Sequence, residues 1–206
     1  MYNKKIWGQC YEFGGRHMKS EEKQPEKQDQ KMIFIMKELF SWVAVIGLAI
    51  LFSLFLNRVI FINAEVPTGS MENTIMPGDK LIGSRLAYRS ANPKRGDIII
   101  FHYPDDETQI YVKRVIGLPG EKIIIDDATI YIDDMPLVEG YLKEEWTVST
   151  GYFEFEVPED SYLVLGDNRN SSWDARFWAN SYVEKDKILG KAWCRYWPLN
   201  QMKKLQ

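Results

Sequence analysis

The sequence predicts a mainly β domain carried behind one N-terminal transmembrane helix. Three observations predict it: an uncharged run from Leu39 to Leu56, a polar and charged segment before that run, and a series of short stretches rich in Ile, Val, Tyr and Trp after Ala64. With 206 residues, 45% of them apolar and 27% charged, the chain has room for one ordinary domain and an appendage. A formal charge of -3 without any long Lys/Arg block argues against a nucleic-acid partner. The two cysteines, Cys10 and Cys194, lie at opposite ends and fit neither a disulfide framework nor paired metal-ligand spacing, so neither a metal nor a redox cofactor is required.

Residues 1–36 open the chain. The stretch "KSEEKQPEKQDQ" is too polar to bury a core, and it reads as a disordered tail. The anchor is placed at residues 37–62. Within "LFSWVAVIGLAILFSLFL" twelve of eighteen residues are Leu, Ile, Phe or Val; at roughly -0.3 to -0.6 kcal/mol each they favour the membrane by about 4 to 7 kcal/mol before the cost of the two serines. A cleaved leader is a poor fit, because Phe61 stands three residues before Ala64 where a small residue is needed. Lys19, Lys23, Lys27, Lys31 and Lys37 precede the span and Arg58 alone follows it closely. The positive-inside rule therefore puts the N-terminus in the cytoplasm and residues 63–206 outside the cell membrane.

The outer part reads as strands: "DIIIFHY" (97–103), "QIYVKRVIG" (109–117), "EKIIIDDATIYIDD" (121–134, a hairpin turning near Asp126 and Asp127), "SYLVLGD" (161–167) and "KILGKAWCRYW" (187–197). Between the anchor and the first of these lies "VPTGSMENTIMPGD" (66–79), where Gly69 permits a tight bend that holds the hydroxyls of Thr68 and Ser70. Nearby Met71, Ile75 and Met76 are equally suited to a core, a membrane interface or a substrate.

A serine needs a base to become a nucleophile. Of two histidines, His17 lies in the tail, leaving His102, which at a strand end is more simply an edge residue. Lysine is the other candidate, provided that burial lowers its proton affinity. Strand alternation sets Lys113 on one face with Tyr111 and Val115, and Arg114 on the opposite face with Val112 and Ile116. Arginine keeps its proton at any working pH, so Lys113 is the better base. A lysine whose stem packs on the strand while its ammonium reaches solvent is the plainer reading of that stretch alone. The last motif, "VLGDNRNSSWDAR" (164–176), is a hydrogen-bonded loop and not a calcium loop, since Arg169 stands at a ligand position.

In this order, "TGSM" (68–71), "MPGD" (76–79), "KRGDIIIF" (94–101), "YVKRVIGLPGE" (111–121) and "LGDNRNSSWDAR" (165–176), behind one anchor, resemble the type I signal peptidases, membrane-anchored serine proteases that remove signal peptides from exported proteins. The resemblance implies a mostly antiparallel β domain with a small second lobe around 121–160, a fold shared with self-cleaving repressor-type Ser-Lys proteases. It implies Ser70 as nucleophile and Lys113 as general base. Ser172 would orient the lysine, Thr68 would help bind the oxyanion with the Ser70 amide, and Arg114, Asp167, Asp174 and Arg176 would brace the site through ion pairs. It further implies acyl transfer after small-x-small sites, exported preproteins and the lipid bilayer as partners, no cofactor, and a monomer of the single-span Gram-positive form. Four positions depart from the family pattern: Asn73 stands for the usual proline, Asn170 for an aspartate, Ser171 for an asparagine and Ala175 for a serine. Two rival readings are an anchored cysteine transpeptidase using Cys194 and His102, and an anchored binding module that has lost its chemistry.

Overall fold

The computed structural model describes residues 25–142, 144–148 and 151–205, and the chain divides into two units, Met1–Ala49 and Ile50–Gln206. Helix α1 runs from Pro25 to Val59. At 1.5 Å per residue its 35 residues extend about 52 Å, well beyond the roughly 30 Å of a bilayer core. Its stretch from Asp29 to Val59 is long and apolar enough to cross a membrane, and no part of its most apolar window is covered by protein. Large apolar side chains such as Ile33, Phe40, Leu48 and Phe55 are exposed along it, which fits a helix that crosses a membrane.

Both boundaries of the predicted anchor shift. Residues 25–36, expected in the disordered tail, are helical; the expectation for the preceding residues lies outside those described. Polarity argued against a buried core, but a helix needs none when proline sits at its first position and an apolar segment propagates it. At the other end Phe61 and Ile62, expected in the anchor, are extended. They belong to β1 (Phe61–Glu65), whose backbone is paired residue for residue with β2 (Lys80–Ser84). Tertiary pairing decides here between two conformations that an apolar run permits equally.

The remaining strands are β3 (Ile98–Tyr103), β4 (Asp106–Gly117), β5 (Lys122–Asp126), β6 (Thr129–Ile132), β7 (Met135–Pro136), β8 (Tyr152–Glu156), β9 (Ser161–Leu165), β10 (Tyr182–Glu184), β11 (Ile188–Trp197) and β12 (Lys203–Lys204). They form an eight-stranded sheet in the order β1-β2-β11-β3-β4-β9-β10, with β12 on β11, and a four-stranded sheet in the order β7-β6-β5-β8. Every pairing is antiparallel. The β5–β6 hairpin turns through Asp127, whose φ of 50° is the left-handed conformation that aspartate tolerates well.

The large sheet is covered on both faces. Ile99, Phe101 and Val115 join one apolar core with residues of the second sheet, while Ile98 and Ile100 join another with Leu81, Met71 and Ile75. This two-sidedness explains why neighbours Lys113 and Arg114, set on opposite faces by strand alternation, are both buried.

The second core also fixes the loop between β1 and β2. Its ends are tied by Val66 N–H to Asp79 O (3.0 Å) and Gly78 N–H to Val66 O (2.7 Å). The Asp79 carboxylate accepts the Met76 N–H (2.8 Å) and pairs with Arg195 (2.7 Å). Met71 and Ile75 are fully enclosed whereas Met76 is 43% exposed, so the first two are core residues. Ile75→Ala is expected to cost about 2–5 kcal/mol of stability, and Met76→Ala less than about 0.5 kcal/mol, as read from thermal unfolding of the full chain in detergent.

Candidate active site

Ser70 sits in a short 3-10 turn, Gly69–Met71, on the loop just described. Two bonds from one residue hold its backbone: the N–H of Asn168 donates to the Ser70 carbonyl (3.0 Å) and the Asn168 side-chain amide donates to the Gly69 carbonyl (3.0 Å). Lys113, on β4, brings its Nζ to 2.5 Å from the Ser70 Oγ. Only 8% of Ser70 and 3% of Lys113 is exposed. Burial pulls the Lys113 pKa down to about 8; the nearby Asp174 and Asp167 carboxylates oppose that shift and Arg176 reinforces it. At pH 7 roughly a tenth of such a lysine is neutral, against about one part in three thousand at the ordinary value.

Three ion pairs surround them in the interior. Arg114 grips Asp167 through two bonds (2.8 and 2.7 Å), and the Thr74 hydroxyl donates to the same carboxylate (2.6 Å). Arg176 grips Asp174 in the same way (2.7 and 2.9 Å), and Asp174 also accepts the Gly166 N–H (3.0 Å). A third pair, Arg169 with Glu139 (2.6 Å for both bonds), is equally enclosed, and Arg169 donates to the Gly166 carbonyl (2.9 Å). Gly166 is the knot of this network. A Cβ there would overlap the Ser172 hydroxyl and the Ser70 carbonyl.

Of the eight residues named from sequence, the structure brings Ser70 and Lys113 into contact. It pairs Arg114 with Asp167 and Arg176 with Asp174, and aims the Thr68 hydroxyl at Ser70 Oγ (3.4 Å). Ser172 is buried beside Gly166, and its hydroxyl has no hydrogen-bond partner among the described residues. Sequence reasoning missed Asn168, because it joins two recognised motifs that lie about a hundred residues apart and neither shows the bond by itself. It also missed the Arg169–Glu139 pair, because Arg169 served only to exclude calcium and Glu139 lies in a stretch with no pattern of its own.

Ser70 and Lys113 open onto a cleft of about 670 Å³. One wall is the segment Val66–Thr68 and the other is β4 from Gln109 to Val112, with Trp173 near them. Strand β9 pairs with β4 only from Arg114 onward, which leaves the preceding backbone edge of β4 open among the described residues. Among the same residues no cluster of three His, Cys, Asp or Glu side chains is placed to hold a metal.

The Cys194 and His102 arrangement is not assembled. Strand β11 pairs with β3 at Ile188 opposite Phe101, and Cys194 lies six residues further along, opposite Ile82 of β2. At 3.3–3.4 Å per residue that offset is about 20 Å. His102 instead has its Nδ1 2.7 Å from the Glu107 carbonyl.

Comparison with known proteins gives consistent results. A family model described as signal peptidase, peptidase S26, matches residues 39–197. A signal peptidase I of Leptolyngbya laminosa is 36% identical over 174 residues, covering 81% of this chain and 84% of that protein. Signal peptidase IB of Staphylococcus aureus is 30% identical over 183 residues, covering 81% of this chain and 94% of that protein. A crystal structure of a signal peptidase I from Enterococcus faecalis V583 is 36% identical, covering 48% of this chain and 96% of that chain with a TM-score of 0.42.

Gly166→Ala is expected to displace the Ser70 carbonyl and to lower kcat by about 100-fold, the scale of a 1 Å misplacement, while the chain still folds. Steady-state kinetics beside a circular dichroism spectrum checks it.

Proposed function

The chain belongs to the signal peptidase family, peptidase S26, and from that premise we propose that Ser70 and Lys113 are the nucleophile and general base with which this peptidase cuts exported preproteins. The carrying observation is the 2.5 Å approach of a buried Lys113 amine to the Ser70 hydroxyl on the wall of an open cleft.

The substrate chain lies extended along the open edge of β4, where backbone bonds give affinity and alternate side chains enter shallow pockets. The apolar side chains in the cleft, among them Val66, Ile110 and Val112, suit the small residues of a small-x-small site. Neutral Lys113 takes the Oγ–H proton as Ser70 Oγ bonds to the scissile carbonyl carbon. The oxyanion is held by the Ser70 amide and the Thr68 hydroxyl. As the tetrahedral intermediate collapses, the C–N bond breaks and the Lys113 ammonium gives its proton to the leaving amine, which becomes the N-terminus of the mature protein. Lys113 then deprotonates a water that attacks the ester, releasing the signal peptide as a carboxylate and restoring Ser70. Ser172, whose hydroxyl has no other partner among the described residues, accepts from the transient ammonium. The Arg114–Asp167 and Arg176–Asp174 pairs hold the geometry.

The lysine asymmetry about α1 supports an N-terminus in the cytoplasm and a catalytic domain outside, where preproteins emerge. All the proposed groups come from one chain, so a monomer suffices.

The test is cleavage of a labelled preprotein by detergent-solubilised protein, with the cut mapped by mass spectrometry. Wild type is expected to cut after a small-x-small sequence, Ser70→Ala and Lys113→Ala to be inactive while folded, and Cys194→Ala to keep full activity. Because the base must be neutral, kcat/KM is expected to fall tenfold per unit as pH drops below about 8. Activity in Ser70→Ala, or its loss in Cys194→Ala, would defeat the assignment.

A further inference from the structure

Asn73 and Asn170 lie outside the walls of the cleft, yet both spend their side chains on the described residues of one segment, 139–142 and 144–148, which follows β7 of the second sheet. The Asn73 amide donates to the carbonyls of Tyr141 (3.0 Å) and Leu142 (3.1 Å). Asn170 accepts the N–H groups of Thr147 (3.0 Å) and Val148 (3.1 Å) on its oxygen, and donates from its nitrogen to Glu144 Oε1 (2.9 Å) and the Glu145 carbonyl (3.1 Å). Asn73 holds a φ of 83°, which proline, fixed near -65°, cannot adopt. One asparagine thus ties the start of the segment and the other its end.

What the segment covers is the set of cations behind Lys113. The Tyr141 ring lies against the Arg114 guanidinium (3.9 Å to the centroid), Trp146 lies near Arg169 (5.5 Å) and Arg176 (5.1 Å), and Glu139 pairs with Arg169 (2.6 Å). Each of the three buried arginines therefore has an aromatic or carboxylate lid from this one segment.

We infer that Asn73 and Asn170 are positioning residues for the reaction, fastening 139–148 as a strap that keeps water from the ion pairs behind Lys113. The inference rests on Lys113 being the base. The groups that bear on the lysine are Asp174 and Arg176 from one loop, Asp167 from the preceding turn, Ser70 from the β1–β2 loop, and Tyr111 on its own strand. Burial is the strongest influence on Lys113 and favours the neutral amine, so loosening the strap lets water in and raises its proton affinity.

The experiment compares the pH dependence of kcat and kcat/KM for preprotein cleavage by full-length wild type, Asn73→Gly, Asn170→Ala, the double variant and Asn170→Asp, with Ser70→Ala as a blank. Glycine keeps the positive φ without the side chain, and aspartate keeps the acceptor for the Thr147 and Val148 amides. The acid limb of the double variant is expected to move up by half a pH unit or more, which lowers kcat at pH 7 about threefold with KM within twofold. Asn170→Asp is expected to shift less than Asn170→Ala. Should the double variant fail to fold, the exposed Asn73→Gly change alone carries the same expectation at smaller size. A wild-type acid limb in folded variants, or a rise in KM at constant kcat, overturns the inference and leaves the dyad standing. Activity in the Ser70→Ala blank instead overturns the dyad.

Discussion

The contact between the Lys113 amine and the Ser70 hydroxyl constrains everything around it, because a lysine serves as a base only where water is scarce. An ammonium in solution is one of the most strongly hydrated side chains, and stripping that hydration is what makes the neutral form accessible near neutral pH. The fold meets this demand with a sheet covered on both faces, so that a strand with adjacent cations buries both, Lys113 against Ser70 and Arg114 against Asp167. A sheet with one wet face would have buried one and solvated the other.

Removing water from the lysine also removes it from the groups that hold the lysine in place. Arg114–Asp167, Arg176–Asp174 and Arg169–Glu139 are all enclosed ion pairs, and such pairs gain little net stability, since desolvation costs about as much as attraction returns. Their value is directional. Bidentate bonds fix planar groups at set angles, and the carboxylates use their remaining lone pairs on backbone N–H groups and the Thr74 hydroxyl. Gly166 and Asn168 carry that rigidity to the backbone at Ser70, through a close approach that excludes any Cβ and through two bonds from one asparagine.

Much of this was legible in the sequence, for identifiable reasons. Strands such as 97–103 and the hairpin at 121–134 announce themselves because apolar runs are cut by turn chemistry. Ser70 and Lys113 were suggested by the order of the motifs and its resemblance to a known family, whereas the two stretches alone read as a turn and as a lysine reaching solvent. The first strand was hidden, because Phe61 and Ile62 continue an apolar run and hydropathy does not tell a helix end from an edge strand. The burial of both Lys113 and Arg114 was hidden as well, since alternation gives opposite faces but not how many of them are covered. Glu139 and the two asparagines that tie 139–148 were illegible for another reason: their importance lies wholly in partners distant in sequence.

The most direct measurement is the titration of Lys113 itself, followed by NMR at its ε-carbon in the full chain in detergent micelles, with the signal assigned by its loss in Lys113→Ala. A midpoint near 8 is the expected result and makes the lysine a competent base near neutral pH. A midpoint at the ordinary lysine value, about 10.4, would contradict the account, because the amine beside Ser70 would then remain charged and unable to take its proton.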